Sequence, residues 1–579
     1  MARPEPVGLI ELRILDGPNL YFTRPAVKLT MAVPGWIGAP EERVSALSVQ
    51  LGMRGADSEL AGGPRLRPGA RDSDQRRRFV VRLAAHVTRT LASLSRTNLA
   101  VRARAGPELD QIVVAFPWRR RGAAEALGRE LAALFSELLS SRRPLDRLLA
   151  SSAARVAAAE PGPPPVVSDP KVPVIAVTGT NGKTTVVRLL AHLVQASGMN
   201  VAFSSTDGVY FNGRLVEAGD YSGFGGAARA LAQPEVQVAV LETARGGILL
   251  RGIGALHNDV AVVTNVSADH LGLMGIRTLD QLAEVKAAIT HITRPGGWDV
   301  LNADDPRVLA MRRGVRGRPW LYSMDHDHPA IRTALSEGGR AVTLVDRRLT
   351  VLMPGGRSRP LVPIEDVPLT LAGVSRHYTQ NAMAATAAAL GIGLPEDAVV
   401  QGLLTFVLDP DSNPGRTNLF ELGGRIVVAD YAHNEAGLAG LVSTCRGLRP
   451  PDSEIWLAFG TAGDRTNEIL HTMGYTAGRG SDHVAVAELV HYLRGRERED
   501  LASRLQAGAL DGGASEAPVF EDEVHALLWM LERSRPDDVV AVTALSQRDE
   551  VFALLEERGA VRIGPARVKE LVHRARGGS

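Results

Sequence analysis

Four stretches of this sequence carry side chains that could handle phosphate and a divalent cation. The first is Gly179-Thr180-Asn181-Gly182-Lys183-Thr184-Thr185, after the apolar run Val174 to Val177. Glycines in such a loop let backbone N–H groups approach phosphate oxygens, and a following helix N-terminus adds partial positive charge. Lys183 can then reach the β- and γ-phosphates of a nucleotide, and the Thr184 hydroxyl can ligate Mg2+. The generic GxxxxGK[ST] spacing is not met, because its first glycine would fall on Val177. The second stretch is Leu241 to Gly247, where Glu242 closes a predicted strand. That carboxylate could bind the same Mg2+ as Thr184, or it could be a solvated strand end. In the third, Thr264 to His270, a strand again gives way to polar residues. His270 reads as a metal ligand or as a structural cap, and a lone histidine favours the cap.

The fourth is Lys286. Thr278 and Gln281 form a capping box, so a helix should start near Leu279. Leu279, Leu282, Lys286 and Ile289 then fall on one apolar stripe. A lysine there either snorkels to the stripe edge or is a buried amine of lowered pKa. Such an amine can react with carbon dioxide to give a carbamate, an anionic metal ligand.

These stretches need a frame that brings strand ends together. After a proline-rich stretch, Ala159 to Pro173, predicted strands alternate with helices. The strands are Val174 to Val177, Val201 to Ser204, Val236 to Leu241 and Val260 to Thr264. The helices are Thr184 to Ala196, Gly226 to Leu231 and Leu279 to Ile292. This is the rhythm of a doubly wound parallel sheet, in which ligands sit at the carboxyl ends of strands. A second alternation, with strands Ile426 to Ala429, Ile455 to Phe459, His483 to Ala487 and Val539 to Val542, implies a smaller C-terminal α/β domain. Residues 1–157 read as a mixed α/β unit. Its strands Leu9 to Leu15 and Ala26 to Val33 flank a turn at Gly17-Pro18-Asn19, and Ile112 to Phe116 is a third strand. Its helices are Arg78 to Leu94 and Ala123 to Leu139. The fold class is therefore α/β and multidomain: 1–157, a linker 158–173, a phosphate-loop domain 174–409 and a C-terminal domain 410–579.

The 579 residues, 45% hydrophobic and 22% charged, suit three or four globular domains rather than a disordered chain. No apolar run is long enough to span a membrane, and Met1 to Leu12 lacks the unbroken apolar stretch of a signal peptide. A cytoplasmic protein with no membrane partner is expected. A single cysteine, Cys445, leaves no intramolecular disulfide. The net charge of +2 gives little reason to expect nucleic acid as a partner. Five lysines stand against 61 arginines, so the two lysines in the candidate site are a large share of all primary amines. The clusters Arg76-Arg77-Arg78 and Arg119-Arg120-Arg121 read first as solvated faces, and second as docking points for an acidic chain.

Together these motifs resemble the Mur ligase superfamily, enzymes that join an amino acid to a carboxylate using ATP. Further motifs follow in that order: Leu301 to Asp305, Asn381 with Ala382 to Ala389, Asn413-Pro414-Gly415-Arg416, Asp430-Tyr431-Ala432-His433-Asn434, and Gly460 through Asp464-Arg465. The cyanophycin synthetase branch is most similar, through Ser205 to Gly208, Gly219 to Gly223, Glu242 to Ile248 with Arg251-Gly252, Leu493 to Glu497, and Asp16 to Leu20. That branch carries an ATP-grasp domain where this sequence has only the linker, so the chain is not expected to make cyanophycin alone.

The resemblance implies an ATP-dependent amide ligase that activates a carboxylate as an acyl phosphate and couples it to the amine of an amino acid. It implies one Mg2+ on Thr184 and Glu242, and a second near His270 and carbamylated Lys286. Asn302 and Asp305 are assigned to the nucleoside. Arg416, Asp430 and His433 would reach over from the C-terminal domain, although Arg416 could also be an interdomain ion pair. Asp464 and Arg465 would bind substrate or shape their own loop. The implied partners are an amino acid and a carboxylate-bearing peptide or polymer, with a homo-oligomer and a separate ATP-grasp protein as further possibilities. The competing reading is a nucleotide-binding, non-catalytic partner of such a protein.

Overall fold

The computed structural model describes residues 7–53, 67–269 and 271–577; His270 lies outside the described residues. Among the described residues, three sheets organise the fold. The first has four antiparallel strands in the order Gly8–Leu15, Ala26–Ala32, Gln111–Pro117, Arg102–Ala105. Helices Asp74–Leu94 and Arg121–Ser140 bury their apolar stripes against one of its faces, and Leu145–Ala157 packs on those two helices. Arg102–Ala105 escapes an apolar pattern search because every second residue is arginine. Those arginines cover aromatic rings instead, Arg102 over Phe22 and Arg104 over Tyr21.

Arg76 corrects the expectation of a solvated face for its cluster. It is fully buried, and its guanidinium donates to the carbonyls of Trp36, Ile37, Ala39, Pro68 and Gly69. Five acceptors from two chain segments replace water around the charge. Arg119, Arg120 and Arg121 are exposed.

The second sheet has eleven strands. Seven run parallel, in the order Arg340–Val345, Arg318–Ser323, Thr293–Asn302, Asn258–Val263, Val174–Thr178, Val238–Glu242, Val201–Ser205. Antiparallel strands extend both edges, Gly208–Phe211 with Arg214–Ala218 and Arg348–Met353 with Arg357–Pro363. Val174–Thr178 is buried at every position, as a strand covered on both faces must be. The strand order reverses beside it, so the loops after Val174–Thr178, Val238–Glu242 and Asn258–Val263 open at one place. The third sheet has seven strands around the parallel set His483–Ala487, Ile455–Phe459, Val539–Thr543, Arg425–Asp430. The proline-rich stretch carries no helix. It is pinned through Arg121 N–H to Pro163 O, Gly122 N–H to Pro161 O and a bridge between Ser168 and Ala255.

Candidate active site

The phosphate loop is held open by its neighbours. Gly179 and Gly182 have φ of +151° and +86°, a region that favours glycine. A Cβ on Gly179 would meet Thr264 Oγ1 at 1.8 Å, and one on Gly182 would meet Asn381 Oδ1 at 2.4 Å. Asn265 clamps the loop from below: its Oδ1 accepts from Asn181 N–H at 2.9 Å and its Nδ2 donates to Asn181 O at 3.0 Å. Thr264 Oγ1 donates to the same carbonyl at 2.7 Å. The segment after Asn258–Val263 therefore shapes the loop. Lys183 opens the helix Lys183–Ala196 and its Nζ donates to Thr180 O at 2.8 Å.

Thr184, in the first turn of the helix Lys183–Ala196, meets Glu242 at the end of the strand Val238–Glu242. Thr184 Oγ1 donates to Glu242 Oε2 at 2.9 Å, both residues being buried. Glu242 Oε1 is buried without a hydrogen-bond partner, and burial pushes this carboxyl above its usual range against the pull of Lys183. An orphaned carboxylate oxygen beside a hydroxyl is a hard-oxygen donor set suited to Mg2+. The residues present fit that ion.

Lys286 is the buried amine of the two readings. Its helix, Leu279–Ala287, starts with the Thr278–Gln281 capping box. It is 3% exposed, and Nζ donates to Gly179 O at 2.6 Å. Desolvation, and then Lys183 nearby, hold its pKa well below the ordinary lysine value.

The opposite wall comes from the C-terminal sheet. Arg416 stacks 4.2 Å from the centre of the Tyr431 ring and places Nη2 3.5 Å from Thr184 Oγ1. Asp430 Oδ2 accepts from Thr417 Oγ1 at 2.6 Å, and that hydroxyl also meets Tyr378 OH at 2.8 Å. His433 bonds Tyr431 O through Nδ1 at 2.9 Å, and burial pushes its imidazole down to about 4. Asn434 caps the helix Glu435–Leu448 and exchanges two hydrogen bonds with Asn181, at 2.9 and 3.1 Å. Arg465 pairs with Asp269 at 3.0 Å across the cleft and donates to His433 O, while Arg494 pairs with Asp464. The cleft between the walls encloses about 690 Å³.

Two of the residues assigned from sequence serve the loop from behind. Asn302 is buried and donates to Thr264 O at 2.9 Å. Asp305 caps Pro306–Met311 with one oxygen and accepts from Val266 N–H with the other. Sequence reasoning missed Tyr322, His377 and Gln380 on the cleft wall. They carry no motif of their own, since Tyr322 sits inside a buried strand and His377 and Gln380 lie five and two residues before Ala382 in the same helix.

The chain resembles known proteins over its central and C-terminal parts. Residues 177–389 match the model described as Mur ligase middle domain, and residues 415–545 match Mur ligase, glutamate ligase domain. A cyanophycin synthetase from Synechocystis sp. is 39% identical over 376 residues, 64% of this chain and 42% of that protein. The chain thus spans less than half the length of this curated relative. A UDP-N-acetylmuramoyl-L-alanyl-D-glutamate--2,6-diaminopimelate ligase from Alkalilimnicola ehrlichii is 30% identical over 381 residues, 64% of this chain and 70% of the relative. Among solved structures, E. coli FolC in complex with DHPP and ADP aligns with a TM-score of 0.49 at 19% identity, covering 67% of this chain and 90% of that one. With two matched domains spanning more than half of its residues, and its cleft built where they meet, this chain belongs to the Mur ligase family.

Proposed function

We propose that the chain is an ATP-dependent amide ligase, carried above all by the Thr184–Glu242 pair with its orphaned Oε1 beside Lys183. The chemical difficulty is that a carboxylate must attack an anionic γ-phosphate. Lys183 turns from Thr180 O to the β- and γ-phosphates, and the N–H groups from Gly179 to Thr185 hold the rest of the triphosphate. Thr184 and Glu242 would hold one Mg2+, and His270 with carbamylated Lys286 a second; the ions would neutralise phosphate charge. A neutral buried amine is the form that adds to carbon dioxide, with loss of one proton, and the lowered pKa of Lys286 favours it. Asn302 and Asp305 support the nucleoside side through the segment 264–266, while Arg416, Asp430 and His433 complete the site from the C-terminal domain. The carboxylate oxygen attacks the γ-phosphorus and ADP leaves. The amine then attacks the acyl phosphate, phosphate leaves, and the amine gives up a proton. Closure of the two walls keeps water from that intermediate.

The acceptor in this reading is a carboxylate of a peptide or acidic polymer, and the amine belongs to an amino acid. The relatives named as cyanophycin synthetases support the polymer. The test is phosphate release from ATP and Mg2+, screened over single amino acids against poly-aspartate, β-aspartyl peptides and poly-glutamate, with mass spectrometry of products. Release requiring both an acceptor and one amino acid, with a product heavier by that residue less water, establishes the ligase. ATP binding without release for any pair favours a non-catalytic partner of a separate ATP-grasp protein.

A further inference from the structure

Two of the sequence motifs, Asp16 to Leu20 and Arg251-Gly252, have no part in the cleft. They touch each other. Arg251 Nη2 and Nε both donate to Asp16 Oδ2, at 2.6 and 3.1 Å. Gly17 N–H donates to Arg251 O at 3.2 Å, and Ile253 N–H donates to Pro18 O at 2.6 Å. The backbones meet so closely that a Cβ on Gly17 would lie 1.9 Å from Ile253 O, and one on Gly252 2.6 Å from Gly17 O. Asn19 fixes the turn from inside, donating to Gly17 O and Arg24 O and accepting from Tyr21 and Phe22 N–H.

The segment gripped in this way ends the short helix Arg245–Leu250, which begins three residues after Glu242 and opens with Arg245 on the cleft wall. A second grip falls on the Lys286 helix. Arg104 meets Glu284 at 3.2 Å, and Arg277, at its start, donates to Pro107 O and pairs with Glu108. These ion pairs are exposed and individually weak. The apolar contact beneath them is not: Leu15, Leu20, Tyr21, Val113 and Ala115 of the N-terminal unit share one buried cluster with Ile248, Ile253, Leu282 and Val285.

We propose that the N-terminal unit is a positioning element of the ligase site, bracing the two helices that carry Arg245 and Lys286. This rests on the ligase reading of the cleft. Glu284 and Lys286 lie on different sides of one helix, so a shift of the braced side moves the amine relative to Gly179 O. The unit acts through the helices and touches no reacting atom.

The test uses the full chain. Gly17→Ala places a methyl against Ile253 O from a backbone conformation open to alanine, at a residue that does not line the cleft. Arg251→Asp sets two like charges together, and the Asp16→Arg/Arg251→Asp swap restores the pair. The readouts are hydrogen exchange over 245–255 and 279–287 without ligand, affinity for Mg·AMP-PNP, and kcat per nucleotide-binding site measured well below the unfolding temperature. Gly17→Ala and Arg251→Asp should each raise exchange in both helices at least tenfold and lower kcat at least tenfold, and the swap should return both to within threefold of wild type. Faster exchange with kcat within twofold of wild type would overturn the proposal, as would exchange unchanged in 279–287. If the wild-type chain binds no Mg·AMP-PNP, the ligase reading fails instead, and the exchange arms still report whether the brace exists.

Discussion

The two walls of the cleft are built differently. On the central wall, Thr184, Glu242 and Lys286 are 5%, 2% and 3% exposed and held by short hydrogen bonds to each other or to the loop. On the C-terminal wall, Arg416, Asp430 and His433 are half-buried; Asp430 ends the strand Arg425–Asp430, and Arg416 and His433 reach inward from loops. The first wall is set before any substrate arrives, which is where electrostatic stabilisation is worth most. The second meets the first through polar contacts that include Arg416 on Thr184, Asn434 on Asn181, Thr417 on Tyr378 and Arg465 on Asp269, beside a shared apolar cluster. In the ligase reading proposed above, the first wall holds phosphate and metal, and the second completes the site and closes it. Losses on the first should therefore collapse turnover, and losses on the second should grade it.

The largest effect should come from Lys286. Removing a preorganised buried group of this kind lowers kcat by roughly 10²–10³. Lys286→Ala should do at least that, with partial rescue by a short carboxylic acid that replaces the carbamate. Turnover at the wild-type level would remove Lys286 from the site. Loss without rescue would leave the amine as an anchor of Gly179 O only.

A middle-sized effect should come from the amide pair. Asn434→Ser keeps a hydroxyl able to cap Glu435–Leu448 but is too short to reach Asn181. Each neutral hydrogen bond contributes about 1 kcal/mol net, so the pair amounts to roughly a five- to thirty-fold change. Asn434→Ser should lower kcat/KM by about that factor with little change in Tm, and should raise the ADP released per amide formed, because an open wall admits water. In a double-mutant cycle with Asn181→Ala the losses should be strongly non-additive. Simple additivity would mean that the two amides do not act as a latch.

How far the sequence foretold these walls depends on how local each signal is. The phosphate loop, the Glu242 strand end and the Thr278–Gln281 capping box are legible because strand, turn and helix signals lie within a few residues. Lys286 stood out because a charge on an apolar stripe is a local contradiction. The Asn181–Asn434 and Asp16–Arg251 pairs join residues 253 and 235 positions apart, and a single sequence holds no sign of either. Arg76 was misread because its five acceptors are carbonyls, which have no residue-type signature. The edge hairpins Gly208–Phe211 with Arg214–Ala218 and Arg348–Met353 with Arg357–Pro363 are half-exposed and lack a continuous apolar run.

The smallest effect on turnover concerns His433, whose contribution is to stability and depends on pH. Burial holds its imidazole at about 4, below the 6.5 of an unfolded histidine. The folded chain therefore binds fewer protons than the unfolded chain between these values. By linkage, stability rises with pH across that window and is lost as pH falls from about 6.5 towards 4. The side chain is 28% exposed, so solvent screens part of the effect, leaving on the order of 1–3 kcal/mol. His433→Asn keeps a donor near Tyr431 O and removes the titration. Chemical denaturation at pH 7.5, 6, 5 and 4.5 should give a difference between wild type and variant that grows as pH falls. A difference independent of pH would mean that His433 is solvated in the folded chain. The C-terminal wall would then rest further from the central wall than its contacts with Thr184 and Asn181 place it.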